Sequence, residues 1–477
     1  MPKSIKTRFA PSPTGWLHVG GLRTALYAYL FAKHNKGEFL LRIEDTDQER
    51  KVKGAVENLQ EMLKIFRLNW DNEKPMIQSE RISVYQKYAE DLIKKDKAYY
   101  CFCSKERLDN LRKAQQQKGL PPMYDGHCRD ISLQEISDKK LKEAYVIRFK
   151  MPRTGQTEFS DIIRGKVKFD NRLLDDPIIL KSDGFPTYHL ANVVDDHEMK
   201  ISHVIRGEEW LPSAPKHLLI YQAFNWPSPE FAHLPLLLNK DKSKLSKRQG
   251  DVAVEDYLKK GYLPEALLNF VLLLGWNPKT EQEIFTIEEM IKIFDLAKVN
   301  KAGAIFDTQK LDWLNGYYIR QKSQEEFGRL VYPFFQKAGI NESQERITAV
   351  SATEQQRIKR LDEIIPATQF FFVPPQYEPE LLIWKKITRK EVENNLHELL
   401  NFLENLPDKK FNQKDLENEI TEFINQKKLG VGEMLWPMRV ALSGRQASPG
   451  PFEIAEVLGK AETIKRIKKA SDLLQKA

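Results

Sequence analysis

Cysteine is scarce in this chain, with three residues among 477. A disulfide framework of the kind that staples small secreted domains is therefore not expected, and the composition points to a reducing cytoplasm. Long hydrophobic runs are missing too. The longest apolar cluster, residues 266–276, is interrupted by Asn269 and is too short to span a bilayer, so it reads as a buried helix. The first ten residues lack the apolar stretch of a signal peptide, and no membrane partner is expected. Neither a fixed-period repeat nor a long low-complexity run occurs, which argues against a repeat architecture.

What is present suits a soluble globular protein of several domains. The hydrophobic fraction is 41% and the charged fraction 30%. Lys plus Arg number 75 against 67 Asp plus Glu, a net charge of +8. That tilt agrees with a polyanionic partner such as RNA, although many basic proteins bind none.

The patterning predicts a strand over residues 5–9, a Pro/Gly-rich turn, and a helix marked by Val19, Leu22, Leu26, Tyr29 and Leu30. A second strand over 39–43 ends in the acidic turn Glu44-Asp45-Thr46-Asp47. Val56, Leu59, Leu63 and Phe66 mark another helix. Strand, helix, strand, helix is the order of a parallel α/β nucleotide fold. Residues 101–175 break the pattern with turns, charged helices and short strands such as 145–149, and read as an inserted module. The α/β signature resumes with strands expected over 190–194 and 203–205. Beyond Asp251 the chain becomes mainly helical, with a capping box at Thr388 and Glu391 ahead of a stripe of Val392, Leu396, Leu399, Leu400 and Leu403. Pro374 and Pro375 mark a joint between two helical parts.

Two segments carry phosphate chemistry. Between the first strand and helix stands Pro11-Ser12-Pro13-Thr14-Gly15-Trp16-Leu17-His18-Val19-Gly20-Gly21. A helix start offers free N–H groups and a positive dipole end, and glycines let a phosphate or adenine approach the backbone. The second segment, Lys240-Asp241-Lys242-Ser243-Lys244-Leu245-Ser246-Lys247-Arg248, gathers cations in a loop that can close on a triphosphate. Either could be an ordinary turn or a solvated basic loop when taken alone.

Together the segments resemble the two signatures of class I aminoacyl-tRNA synthetases, here His18-Val19-Gly20-Gly21 and Lys244-Leu245-Ser246-Lys247-Arg248. The strings Arg8-Phe9-Ala10-Pro11, Arg42-Ile43-Glu44-Asp45-Thr46-Asp47 and Val204-Ile205-Arg206-Gly207-Glu208-Glu209-Trp210 are similar to those of the glutamyl/glutaminyl subgroup. Residues 187–197, from Thr187-Tyr188-His189 to His197, resemble the bacterial glutamyl family. The likeness covers residues 7 to 312 and returns at Met438-Arg439-Val440-Ala441-Leu442-Ser443-Gly444.

The resemblance implies a Rossmann-like α/β catalytic domain carrying an inserted α+β acceptor-binding module, followed by an all-α anticodon-binding region. The expected division is 1–78 and 188–251 for the catalytic halves and 79–187 for the insert. A helical stem-contact domain follows at 252–324, then two anticodon subdomains at 325–375 and 376–477. It implies ATP-dependent attachment of L-glutamate to tRNA(Glu) through a glutamyl-adenylate, with Mg²⁺ and without a covalent enzyme intermediate. His18, Lys244, Ser246 and Lys247 would stabilise charge. Pro11, Ser12, Thr14, Gly15, His18, Gly20, Gly21, Glu208, Leu236 and Lys247 would hold ATP. Arg8, Ala10, Ser12, Glu44, Tyr188, Asn192, Arg206 and Trp210 would hold glutamate, the arginines gripping its carboxylates and Glu44 its ammonium. A second cation at Arg206 favours glutamate over glutamine. Asp45 and Asp47 fit a capping role equally well.

Cys101, Cys103 and Cys128 fit a tetrahedral Zn²⁺ site that needs a fourth ligand. Bacterial relatives carry a histidine two places after the third cysteine. Here Asp130 stands there, while Tyr124 resembles the tyrosine ligand of some relatives, so both stay open. His127, beside Cys128, is sterically less suited. The helical tail would reach the anticodon, with Arg357, Lys359 and Arg360 on a helix over 355–360 meeting phosphates. Phe370, Phe371 and Phe372 would either stack bases or, as such runs more often do, fill a core. The expected protein is a monomer. Its rivals are an enzyme that also charges tRNA(Gln), a glutaminyl enzyme, a short queuosine-modifying relative without the tail, and a silent RNA-binding paralogue.

Overall fold

A computed structural model describes residues 4–245 and 253–476. The chain divides into two compact units. One holds the residues up to Lys259 together with Pro264–Thr308, and the other holds Lys260–Leu263 with the residues from Gln309 onward.

The first unit opens with β1 (Lys6–Phe9), α1 (Val19–His34), β2 (Glu38–Ile43), α2 (Ala55–Ile65) and β3 (Met76–Ile77). The three strands are parallel, in the order β1-β2-β3. Helix α1 forms because its apolar residues surround it: Val19, Leu22, Leu26 and Leu30 are all fully buried. It stops where Lys36 turns left-handed, at φ 53°, and Gly37 follows. A Cβ on Gly37 would collide with the Ile5 carbonyl, so glycine is what lets the chain fold back beside β1.

Next come α3 (Ile82–Lys94), β4 (Ala98–Cys101), α4 (Lys105–Gln117), α5 (Leu133–Lys140), β5 (Val146–Phe149), β6 (Gln156–Asp161), β7 (Gly165–Asp170) and β8 (Ile178–Leu180). β4, β5 and β8 form a separate antiparallel sheet. Then α6 (Tyr188–Glu198), β9 (His203–Gly207), α7 (Ala214–Phe224) and β10 (Glu230–Leu234) return to the α/β pattern. The second main sheet runs β7-β6-β10-β9, with β10 parallel to both β6 and β9. A bond from Ser202 N to Lys6 O, 2.9 Å long, sets the start of β9 beside β1. The unit closes with β11 (Leu237–Leu238), α8 (Val254–Lys259), α9 (Pro264–Leu273), α10 (Ile287–Ile293) and β12 (Ala304–Ile305), the last pairing with β11.

The expected strand over 190–194 is instead the middle of α6. Leu190, Ala191, Val193 and Val194 are fully buried. Positions one, three and four apart share a helix face, whereas a half-buried strand would bury alternate residues.

The second unit is helical among the described residues: α11 (Thr308–Arg320), α12 (Gln324–Lys337), α13 (Gln344–Ala352), α14 (Ile364–Thr368), α15 (Arg389–Asn405), α16 (Gln413–Gln426), α17 (Val431–Ser443), α18 (Pro451–Leu458) and α19 (Lys460–Lys476). The capping box of α15 is formed: Glu391 N donates to Thr388 Oγ1 at 3.3 Å, and Thr388 N to Glu391 Oε2 at 2.7 Å. Val392, Leu396, Leu399 and Leu403 then enter one core with Leu416, Ile420, Met434 and Met438. Phe370 and Phe371 are buried in that core and Phe372 packs against it, so all three phenylalanines fill the interior. No helix covers 355–360, where the chain turns after α13. Gln355 donates its amide to Ile319 O at 3.0 Å and Lys322 O at 2.8 Å, closing the end of α11. Arg360 pairs with Asp362 at 3.0 Å, Arg357 reaches Ser448 O at 2.9 Å, and the side chain of Lys359 stays exposed.

Leu396→Ala removes a fully buried side chain from the second unit's core. Urea unfolding followed by circular dichroism should show a loss of about 2–5 kcal/mol.

Candidate active site

A cleft of about 380 Å³ opens at the carboxyl ends of β1, β2 and β9, where parallel α/β sheets place their ligands. Its lining runs from Arg8 and Ala10–Ser12 after β1, through Thr14, Gly15 and His18, to the first turn of α1. It continues over Glu44, Tyr188, Asn192, Arg206, Glu209 and Trp210.

At one end His18 is the N-cap of α1. Its Nδ1 accepts from Gly20 N at 2.9 Å, which places the ring hydrogen on Nε2. A Cβ on Gly20 would sit 3.2 Å from that Nδ1, so the glycine makes room for the capping ring. Free N–H groups of the first turn, the dipole and an imidazole donor thus share one end of the cleft, a combination suited to phosphate. Lys244 is exposed. Leu245 N donates to Leu237 O at 2.9 Å and ties the loop to β11. Ser246 and Lys247 lie outside the described residues.

The other end is built from buried charge. Asp196 Oδ1 accepts from Arg8 Nε at 3.0 Å and from Arg42 Nη1 at 2.6 Å. Glu44 Oε1 accepts from Arg42 Nη2 at 2.8 Å and Nε at 3.2 Å, and from Asn192 Nδ2 at 3.3 Å. Beside them Asp195 takes Gln78, Tyr85 and Arg81 at 2.7, 2.9 and 3.1 Å. Burial pushes the Asp196 carboxyl up, but Arg42 and Arg8 outweigh it and hold the group below the usual range. Burial would likewise lower Arg42, and Asp196 and Glu44 more than reverse that. Arg8 lines the cleft with its charge already shared with Asp196.

Arg206 is held differently. Its Nε donates to His233 Nε2 at 3.0 Å, and Nη1 to Tyr188 Oη at 3.0 Å and to His217 Nδ1 at 3.2 Å. Its buried Nη2 has no hydrogen-bond partner. No carboxylate touches this guanidinium among the described residues. Tyr188, whose ring packs tilted against Trp210 with centres 4.3 Å apart, accepts from Arg206 and so has its own O–H to give. His217, with burial the main cause and Arg206 next, is held well below the ordinary histidine range, and His189 is lowered to about 4.

Arg8, Ala10, Ser12, Glu44, Tyr188, Asn192, Arg206 and Trp210 therefore meet in one place, as do Pro11, Thr14, Gly15, His18, Gly20 and Gly21. Glu208 and Leu236 are not among the residues lining the cleft. Glu208 accepts from Leu236 N at 2.8 Å and pairs with Arg164, while Glu209 faces the cleft. Asp45 has a supporting role, accepting from Ser79 N and Oγ and from Lys51. Asp47 pairs with Arg50 at the surface. Sequence reasoning missed Asp161, Asp196, His217 and His233. Only Asp196 stood inside a quoted string; the others sit in segments with no local signature.

In the same unit the sulfurs of Cys101, Cys103 and Cys128 lie within 4.8 Å of one another, with Cys103 and Cys128 at 3.6 Å. Bonds of about 2.3 Å to a tetrahedral zinc would set sulfurs about 3.8 Å apart, so the spacing fits. Tyr124 Oη completes the group, 3.4 Å from Cys101 Sγ and 3.5 Å from Cys103 Sγ. Asp130 points away, 79% exposed and paired with Arg153. Arg107 approaches Cys103 Sγ at 3.5 Å and Arg148 covers the Tyr124 ring at 3.9 Å, cations suited to an anionic donor set.

A helix start prepared for phosphate, facing a buried seat with cations for an acid, is the layout of an enzyme that activates an acid with a nucleotide, and comparison with known proteins agrees. Residues 4–313 match the family of class I tRNA synthetases (E and Q), catalytic domain, and residues 326–471 match an anticodon binding domain. The chain belongs to this E and Q family of class I tRNA synthetases. A glutamate–tRNA ligase of Clostridium botulinum is 47% identical over all of this chain and 99% of its own length. The Clostridium tetani glutamate–tRNA ligase is 48% identical over 97% of this chain and 96% of its own. A crystal structure of a glutamate tRNA ligase from Elizabethkingia meningosepticum, in complex with its amino acid, superposes with a TM-score of 0.90 at 38% identity. It covers 98% of this chain and 99% of that one. No described helix is long and apolar enough to cross a membrane.

The histidines predict a pH effect on stability. His189 and His217 stay neutral in the fold, whereas the unfolded chain binds protons near pH 6.5. Unfolding then takes up protons, so stability falls as pH drops from 6.5 toward about 4. Calorimetry should show Tm falling over that range and falling less in His189→Gln.

Proposed function

We propose that this enzyme joins L-glutamate to tRNA(Glu) in two steps at the cleft. The observation that carries the substrate reading is Arg206, a buried guanidinium whose Nη2 has no partner and whose charge no adjacent carboxylate cancels. Arg206 Nη2–H and the Tyr188 O–H give the side-chain carboxylate of glutamate two donors. Glutamine would offer its carbonyl oxygen to one donor but turn amide hydrogens toward the other, and its neutral side chain would leave the guanidinium uncompensated. Glu44 Oε1 is filled by Arg42 and Asn192, and its Oε2 takes the substrate ammonium. The name shared by the relatives, glutamate–tRNA ligase, supports the same substrate.

ATP lies with its phosphates at the start of α1, near Gly20, Gly21 and His18. The glutamate α-carboxylate attacks the α-phosphorus; a P–O bond forms there, the bond to the β-phosphate oxygen breaks, and pyrophosphate leaves. His18 Nε2–H meets the developing negative charge, and Lys244, with Ser246 and Lys247, serves the leaving group. Mg²⁺ bound with ATP supplies further charge neutralisation. A terminal ribose hydroxyl of tRNA then attacks the glutamyl carbonyl, loses its proton, and releases AMP. Residues 79–187 would meet the acceptor stem, 252–324 the stem beyond it, and 325–375 with 376–477 the anticodon. Cys101, Cys103, Cys128 and Tyr124 would hold a structural Zn²⁺.

Pyrophosphate exchange with glutamate, run with and without tRNA(Glu), tests the enzyme; absence of exchange with the tRNA present rules it out. Charging assays with tRNA(Glu) and tRNA(Gln) decide the acceptor: tRNA(Glu) is expected to be glutamylated, and glutamylation of tRNA(Gln) as well would identify the form of the enzyme that charges both. Arg206→Ala should lower kcat/KM for glutamate by about 10²-fold or more, the loss of a buried charge-assisted contact. Normal activity would remove Arg206 from the pocket. Purified protein should hold stoichiometric zinc that Cys128→Ser releases, and zinc-free wild type would end the metal assignment.

A further inference from the structure

We infer that Asp161 and His233 form a positioning relay that aims the Arg206 guanidinium while keeping its charge uncancelled, and so set the preference for a side-chain carboxylate over an amide. This rests on Arg206 reading the substrate side chain. The three residues come from three adjacent strands, β6, β10 and β9. In the parallel register His233 stands opposite Arg206, and Asp161 opposite Phe231, two residues before His233. All three are buried.

The hydrogen bonds leave one arrangement of protons. Arg206 Nε can only donate, so His233 Nε2, at 3.0 Å, must offer a lone pair. The ring hydrogen is then on Nδ1, where Asp161 Oδ2 accepts it at 2.6 Å. Asp161 is itself fixed by backbone donors: Ile163 N at 3.0 Å, Arg164 N at 2.8 Å and His233 N at 3.1 Å. It cannot swing to the guanidinium without giving these up. On the other side His217 Nδ1 must also accept from Arg206, which leaves its Nε2 hydrogen for His189 Nδ1 at 3.2 Å.

The consequence is a carboxylate one imidazole away from the cation. Arg8 and Arg42 touch Asp196 directly and share its charge. Arg206 touches two neutral rings and a phenol instead, so its Nη2 edge keeps its pull for the substrate. The imidazole transmits orientation, since a lone pair locked toward Nε fixes the guanidinium plane. Burial, the largest influence on His233, lowers its pKa and favours the neutral ring this needs.

The test compares kcat/KM for glutamate and glutamine in pyrophosphate exchange with tRNA(Glu) present for wild type, Arg206→Met, His233→Leu and His233→Gln. His233→Leu removes the acceptor, and His233→Gln keeps one. With His233→Leu the glutamate KM should rise about tenfold or more, with the ATP KM unchanged and the glutamate preference reduced; His233→Gln should recover most of both. If Arg206→Met loses the glutamate preference while His233→Leu keeps the wild-type KM and preference, the relay is overturned and the Arg206 reading stands. If Arg206→Met keeps both, the Arg206 reading itself falls. Nitrogen NMR of ¹⁵N-histidine-labelled wild type needs no variant to fold: His233 should carry its hydrogen on Nδ1, and the Nε2–H tautomer would overturn the relay.

Discussion

A guanidinium taken out of water loses several kcal/mol of hydration unless hydrogen bonds and opposite charge replace it. This protein meets that constraint in two ways within one cleft. Arg8 and Arg42 are neutralised by Asp196, with Glu44 as a second partner for Arg42. These contacts tie β1 and β2 to α6 and give the cleft a rigid wall. Arg206 is solvated by imidazoles and a phenol, so its hydrogen bonds are largely met while its charge is left for a ligand. One residue type thus has its charge cancelled at two positions and left open at a third, and the neighbours decide which.

The sheets make this division possible. The carboxyl ends of β1 and β2 in one sheet and of β9 in the other meet at the cleft, so residues at those ends converge although the chain places them far apart. The same ends lie beside the start of α1, where His18 and the first-turn N–H groups would face phosphate. An acid gripped at one end and a nucleotide at the other bring carboxylate and α-phosphorus together, and binding itself supplies much of the catalysis. No side-chain nucleophile is needed for such a transfer.

The strand-turn-helix entry, the acidic turn after β2 and the helical tail were legible because their signals are local. Apolar periodicity, turn residues and capping boxes act over a few positions, and the strings around residues 8–21, Glu44, 188–192 and 206–210 fall on the cleft. The segment 190–194 misled because a short apolar run suits either a strand or a buried helix face. The supports of Arg206 were not legible. Asp161 and His233 lie 72 residues apart, and His233 and Arg206 lie 27 apart; only strand register joins them. A lone histidine in a strand carries no sign of which neighbour it will face. The choice between Tyr124 and Asp130 had the same character: spacing allowed both, and folding brought only the tyrosine to the sulfurs.

A crystal structure of this protein with glutamate bound addresses the central claim most directly. The account predicts a side-chain carboxylate oxygen within hydrogen-bond distance of Arg206 Nη2, the other oxygen on the Tyr188 hydroxyl, and His233 and Asp161 unmoved. A glutamate seated with its side-chain carboxylate away from Arg206, or an Arg206 that rotates to pair directly with Asp161, would contradict it.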